Sequence, residues 1–261
     1  MKDMRLLKGI SSSGKESFLL AELLPRGVKI LVERNFKVAQ EAASVAKVFL
    51  AAETIRLLES EKIHNQQIKI KKSSVEFRGT DVLADMVGKG NTVSLDILTL
   101  IGLMVKYSCN SSALVLSKEM LPNRKFLDRV AKNVWRLKDS KLATKDGKRL
   151  NRFSLRDLLL IFSVIYSKRG NFWEFLREKL KTSRNIYYLF DQQELDILGS
   201  KSGTKKVGST YFINDCGVFR YNNTIYFMGA MVSNKSISRA VLRIREIGKE
   251  LVSKLKSRDW R

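Results

Sequence analysis

Histidine occurs once in these 261 residues, at His64, proline twice, at Pro25 and Pro122, and cysteine twice, at Cys109 and Cys216. Each scarcity excludes something. A single imidazole, set in the polar string EKIHNQQ, gives no basis for a histidine-dependent triad or a multi-histidine zinc site. The two cysteines stand far apart and form neither a CxxC pair nor a disulfide framework. No stretch reaches the roughly 18 uninterrupted apolar residues of a membrane span, so no transmembrane segment is expected. Residues 1–30 contain no apolar signal core, which leaves the compartment unknown. No cofactor signature is present, and none is expected.

Acid is scarce as well. There are 26 acidic against 49 basic residues, a formal charge of +23. The basic residues are spread through strings such as RKFLDR, KRLNR, LREKLK and LRIREIGKELVSKLKSR, and no nucleic-acid motif orders them. The plainer reading is a solvated basic surface. The sharper one is a partner that is an anionic polymer, whether cell wall or nucleic acid.

What the chain does have is apolar content, 44% of its residues, enough for a full core in one large domain or two lobes. Short apolar runs over 17–24 and 28–33, joined by Pro25-Arg26-Gly27, predict a β-hairpin. From Glu41 to about Leu195 the periodicity is helical, with helices predicted near 42–59, 94–106, 111–120, 124–133, 154–168 and 171–181. Ser94 and Ser154 are the expected N-caps. After Gly199 the period shortens. Residues 209–219 and 224–233 read as strands around Tyr221-Asn222-Asn223, and 236–256 as an amphipathic helix. The expected fold class is α+β: an antiparallel sheet from the N- and C-terminal segments, flanked by helices, with an all-α lobe inserted. The expected division is a single domain over 1–261, with lobes 15–40 plus 198–258 and 41–197.

One helix carries a chemical oddity. In EAASVAKVFLAAETIRLLE, residues 41–59, Ser44 and Lys47 interrupt an otherwise apolar stretch at i and i+3, one turn apart. Desolvation lowers a buried lysine and leaves a neutral amine, a general base beside a hydroxyl nucleophile. The string S-x-x-K is cheap: about three copies are expected by chance among 26 serines and 29 lysines. Four occur, at Ser12, Ser44, Ser202 and Ser253, and only the copy at Ser44 opens an apolar helix. Two further elements follow. Ser108-Cys109-Asn110 lies between two predicted helices and reads by itself as a linker turn. Lys201-Ser202-Gly203-Thr204 leads into the first C-terminal strand, where a glycine allows close backbone approach.

In that order, S-x-x-K, then S-x-N, then K-S-G, the three resemble the motifs of the penicillin-recognising serine enzymes, class A β-lactamases and D-Ala-D-Ala peptidases. AASVAKVFLAAE is similar to the family's nucleophile helix, YSCNSSALVL to its S-x-N loop and following helix, FSLRDLLLIF to the helix after its Ω loop, and KSGT…FINDCGVF…YFMGAMV to its central strands. The resemblance implies a two-lobed β-lactamase/transpeptidase-like fold with the site in the cleft, and export from the cytoplasm. It implies catalytic roles for Ser44 as nucleophile, Lys47 as base and Ser108 as proton relay. It implies substrate contacts from Asn110, Lys201, Ser202, Gly203 and Thr204, and a β-lactam or acyl-D-Ala-type small molecule as substrate. Two departures stand out. Cys109 occupies the position where the family carries an aspartate that supports the loop. The family's Glu-x-x-Leu-Asn element, whose glutamate activates the deacylating water, has no counterpart, because no glutamate occurs between Glu119 and Glu174. Asp139 and Asp146 are the only acids of WRLKDSKLATKDGKRLNRFSL, residues 135–155, and are the candidate substitutes.

Overall fold

The computed structural model describes residues 16–75, 81–88, 90–119, 124–143, 149–183, 188–191 and 194–257. Strands β1 (Glu16–Leu24) and β2 (Gly27–Arg34) form the N-terminal hairpin. The C-terminal segment supplies β8 (Asp196–Val207), β9 (Thr210–Tyr221) and β10 (Thr224–Asn234), then helix α8 (Ile237–Ser257). These strands make one antiparallel sheet in the order β2-β1-β10-β9-β8. Thus β1 pairs with β10, two segments some two hundred residues apart in sequence, and β8 is an edge.

Alternation explains why the central strands are apolar throughout. Phe18 and Leu20 of β1 join Met228, Ala230 and the Ile244–Ile247–Leu251–Leu255 stripe of α8 in one core. Leu19 and Ala21, one residue out of phase, join Phe227 and Met231 in a second core on the other face, with Leu155 and Phe162. Successive strand side chains point to opposite faces, so a sheet covered on both sides needs a nearly continuous apolar run. Helix α8 is amphipathic as expected, and its Leu242 lies off the buried stripe, exposed.

Between the hairpins lie α1 (Lys47–Glu59), β4 (Gln67–Lys71), α2 (Val82–Gly88), β5 (Thr92–Asp96), α3 (Ile97–Lys106), α4 (Asn110–Glu119), α5 (Arg124–Asn133), α6 (Leu155–Ser167) and α7 (Asn171–Lys181). A short strand β3 (Gln40–Glu41) pairs with β7 (Arg149–Phe153), which pairs with β6 (Lys141–Ala143). Helix α1 is buried almost all round, from Lys47 to Leu58 apart from Arg56. Its one buried acid, Glu53, takes hydrogen bonds from Arg56 and from Trp135 Nε1 at 2.7 Å, so the charge is satisfied inside the lobe. No helix among the described residues is long and apolar enough to cross a membrane.

Three expectations are corrected. The helix predicted from 94 starts at Ile97: Thr92–Asp96 is a strand paired with Gln67–Lys71, and Asp96, not Ser94, caps the helix through Thr99 N at 2.7 Å. Val93 and Leu95 alternate with polar neighbours, and that period-2 stretch runs without a break into the helical one. The apolar helix predicted from 42 is two pieces, a 3₁₀ turn over Ala43–Ala46 and then α1. Lys201–Thr204 lies inside a strand of its own, β8, ahead of the two predicted C-terminal strands. Ser154 caps α6 as expected, accepting from Asp157 N at 3.1 Å.

Candidate active site

Three backbone devices bring the motif residues together. The 3₁₀ turn places Ser44 ahead of α1, with Ala43 in the left-handed region at φ 49°. Its first hydrogen bond runs from Val45 N to Ala42 O at 3.1 Å, so the Ser44 amide precedes the turn's own bonding. Edge strand β8 crosses the mouth of this turn so closely that a Cβ on Gly203 would stand 2.7 Å from Ser44 N and 2.9 Å from Val45 N. Only glycine permits that approach. Thirdly, the chain reverses between α3 and α4 through Ser108, again left-handed at φ 58°, which turns this serine toward the lysines.

The result is a chain of polar contacts. Lys47, 7% exposed, puts Nζ 3.2 Å from Ser44 Oγ, 2.5 Å from Ser108 O, 2.7 Å from Asn110 Oδ1 and 3.3 Å from Ser108 Oγ. The two shortest contacts are to oxygens that can only accept. The two longer ones are to hydroxyls, which can also donate. The contacts to Ser108 O and Asn110 Oδ1 therefore take two of the N–H groups of Lys47. Lys201 reaches the same hydroxyl from the other side, with Nζ 3.1 Å from Ser108 Oγ and 3.1 Å from Ser202 O. Six of the predicted residues thus converge: Ser44, Lys47, Ser108, Asn110, Lys201 and Gly203. Thr204 is exposed on β8 and Ser202 half-buried, and alternation puts the two on one face of the strand.

Lys201 is fully buried, and burial, reinforced by the charge of Lys47, lowers its ammonium pKa to about 7. Beneath it on β9, Asp215 is likewise buried and is raised to about 7 by desolvation, although the amides of Leu189 and Tyr188 donate to its Oδ2 at 3.0 Å each. Its other oxygen, Oδ1, has no hydrogen-bond partner among the described residues. No cluster of three His, Cys, Asp or Glu suited to a metal occurs among the described residues.

One residue of the site was not read from the sequence. Asp81, 2% exposed, precedes α2 and looks like an ordinary helix cap, which it also is, through Ala84 N at 3.2 Å. Its carboxylate also receives Cys109 Sγ at 2.9 Å, Asn110 N at 2.9 Å and Ser111 N at 2.8 Å. Burial pushes this carboxyl up, but the hydrogen bonds from Cys109, Ser111 and Ala84 outweigh it and hold it below the ordinary aspartate range.

On the far side of Ser44, Asn151 O accepts from Ala42 N at 2.7 Å and so ties β7 to the 3₁₀ turn. The preceding stretch hangs on Asp157, whose carboxylate accepts from the amides of Lys138, Asp139 and Ser140 at 2.7–3.0 Å. Asp139 is spoken for: Arg156 donates to Oδ1 at 2.6 Å and Ser154 Oγ to Oδ2 at 3.1 Å. Asp146 lies outside the described residues.

Comparison with known proteins agrees with this architecture. A class A β-lactamase from Bacteroides cellulosilyticus superposes with a TM-score of 0.79, at 15% identity over 95% of this chain and 94% of that one. A β-lactamase from Chitinophaga pinensis gives 0.76, at 15% identity over 92% and 95%. The protein PBP-A gives 0.77, at 15% identity over 97% and 93%. No curated protein matches by sequence. At such identities the structural likeness speaks for the fold. The sequence itself, however, matches the model of the beta-lactamase enzyme family over residues 6–255, and the chain therefore belongs to that family.

Proposed function

We propose that this protein is a serine hydrolase that acylates Ser44 with β-lactams and releases the product slowly. The observation that carries the reading is the continuous contact path Ser44 Oγ–Lys47 Nζ–Ser108 Oγ–Lys201 Nζ, with steps of 3.2, 3.3 and 3.1 Å. In acylation, Ser44 Oγ attacks the lactam carbonyl carbon and Lys47 takes its proton. The oxyanion is held by the amides of Ser44 and Thr204, across the close approach that Gly203 allows. The C–N bond breaks, and the leaving nitrogen receives a proton from Ser108, which is resupplied from the lysines. Asn110 orients the substrate amide, and Lys201, Ser202 and Thr204 hold its carboxylate. In this reading the whole chain is one catalytic domain, with lobes 15–40 plus 198–258 and 41–197.

Deacylation needs an activated water. No glutamate exists in the 120–173 stretch, and Asp139 is committed to Arg156 and Ser154. General-base catalysis contributes about 10²–10⁴-fold, so ester hydrolysis is expected to be slower by that factor. The second reading, a penicillin-binding D-Ala-D-Ala peptidase, is favoured by the same observation and by the likeness to PBP-A, a mutant of which is described as an acyl-enzyme complex with penicillin G. A basic module binding an anionic polymer would need none of these buried contacts. The test is nitrocefin hydrolysis followed alongside intact-protein mass. A burst of one equivalent with a persistent penicilloyl-sized adduct is expected after penicillin. Rapid turnover with no adduct would overturn the slow-release reading, and neither burst nor adduct would overturn acylation.

A further inference from the structure

The S-x-N loop has lost the aspartate that supports it in the resembled enzymes, and Cys109 stands in its place. Yet the loop is held in a costly conformation, with Ser108 left-handed and its carbonyl, its hydroxyl and the Asn110 amide all turned to Lys47. Something else must fix it.

We propose that Asp81, from a segment 27 positions before Ser108, supplies from outside the carboxylate the loop lacks, and that Asp81 and Cys109 form a compensating pair that positions Ser108 and Asn110 for acylation. The proposal rests on the acylation reading above.

The geometry supports a division of labour within one carboxylate. Oδ2 takes the first two amides of α4, Asn110 N and Ser111 N. There a negative charge also meets the positive end of the helix dipole. Oδ1 takes the Cys109 thiol and the Ala84 amide, and so couples the loop to α2. The thiol is not idle: its sulfur accepts from Ser112 N at 3.4 Å and Ser112 Oγ at 3.0 Å, which closes the first turn of α4. Cys109 is 1% exposed, so water offers no alternative partner.

The arrangement sets an aspartate at 109 against the aspartate at 81. Sγ and Oδ1 lie 2.9 Å apart. A carboxylate at 109 would face Asp81 at about that separation in a buried site, where two like charges cannot both remain ionised. Asp81 is a positioning residue: it contacts the loop and not the reacting atoms.

The experiment is a four-protein cycle: wild type, Asp81→Asn, Cys109→Asp, and Asp81→Asn/Cys109→Asp. The readouts are saturation kinetics of labelling by a fluorescent penicillin and the thermal transition of each protein. Either single change is expected to slow the limiting acylation rate about 10- to 100-fold with a smaller effect on half-saturation, because misplaced groups cost rate more than binding. The double variant is expected to recover most of the rate and melt above both singles, since the carboxylate then comes from the loop itself and the side-chain amide introduced at position 81 can donate to it. If Asp81→Asn does not fold, the double variant is compared with Cys109→Asp alone, and recovery is still required. A double variant no better than the worse single, or a folded Asp81→Asn that acylates at the wild-type rate, overturns the proposal. Should the wild type fail to label at all, the function reading falls, while the pair is still judged by whether the double variant outmelts both singles.

Discussion

The two banks of the cleft are built to different standards. On one bank, the polar groups are drawn into a single network: Lys47 and Lys201 meet across Ser108, Asp81 clamps the loop from behind, and Gly203 brings β8 against the Ser44 amide. The other bank, residues 136–143 and 149–157, turns its acids inward. Its acids face its own backbone and its own arginine: Asp157 gathers the amides of Lys138–Ser140, and Asp139 is held between Arg156 and Ser154. The difference teaches that forming an acyl-enzyme and hydrolysing it are separable demands on one fold. The first needs a hydroxyl, a base and an oxyanion site. The second needs, in addition, a carboxylate free to polarise water, and no described residue of this bank has one.

The largest effect lies on the first bank. Ser44→Ala is expected to abolish covalent penicillin labelling while the thermal transition moves little, because the half-buried hydroxyl is tied down by little more than the 3.2 Å contact to Lys47. Lys47→Ala is expected to lose labelling as well, with a larger thermal cost, since Ser108 O and Asn110 Oδ1 lose their donor. Intact mass decides it. An adduct on Ser44→Ala would move the nucleophile elsewhere and dissolve the contrast between the banks.

The same contrast marks how far the sequence could be read. The sheet from both termini, the two hairpins and α8 follow from local patterns, because period-2 and period-3.6 stretches bounded by turns are visible without knowing their partners. The convergence of Ser44, Lys47, Ser108, Asn110, Lys201 and Gly203 was legible only through motif order. Nothing local announces that Lys201 lies under Ser108, 93 positions earlier. Asp81 was hidden for the opposite reason. As a helix cap its local explanation was complete, so its second role had no signature. Strand β5 was missed because its alternation merges directly into the apolar face of α3. The replacement of aspartate by Cys109 reads in sequence as a weakening, whereas in space the carboxylate has moved rather than vanished.

Beneath the first bank, Lys201 and Asp215, both buried, give it a pH dependence. Asp215 has its folded-state pKa raised to about 7, so between about pH 4 and 7 the folded protein keeps a proton that the unfolded chain releases, and its contribution to stability falls as pH rises. Lys201, lowered to about 7, acts in the next window: between pH 7 and about 10.5 the unfolded chain holds the extra proton and stability rises. The two together place a minimum near pH 7. Asp215→Asn is nearly isosteric and keeps an acceptor for the amides of Tyr188 and Leu189. It is expected to lose less stability than wild type between pH 5 and 7, by on the order of 2 kcal/mol. Denaturant unfolding at the two pH values measures it. Equal slopes in both proteins would mean that Asp215 is not the group that titrates.

The smallest expected effect belongs to the second bank and tests its silence. Asp139→Asn removes an ion pair to Arg156 whose side chains are 30% and 19% exposed, and weakens the acceptor for Ser154 Oγ. Partly exposed pairs of this kind contribute about 1 kcal/mol or less, so the protein should remain folded with a slightly lower midpoint. If Asp139 is only structural, decay of the penicilloyl adduct followed by intact mass will have the wild-type half-life. If Asp139 swings from Arg156 to activate water in the acyl-enzyme, the half-life will lengthen by about 10²-fold or more, as loss of a general base requires. That outcome would show that the second bank keeps a catalytic carboxylate parked on an arginine in the resting state. It would also replace two separable demands with a single machine whose second half moves into place only after the first has acted.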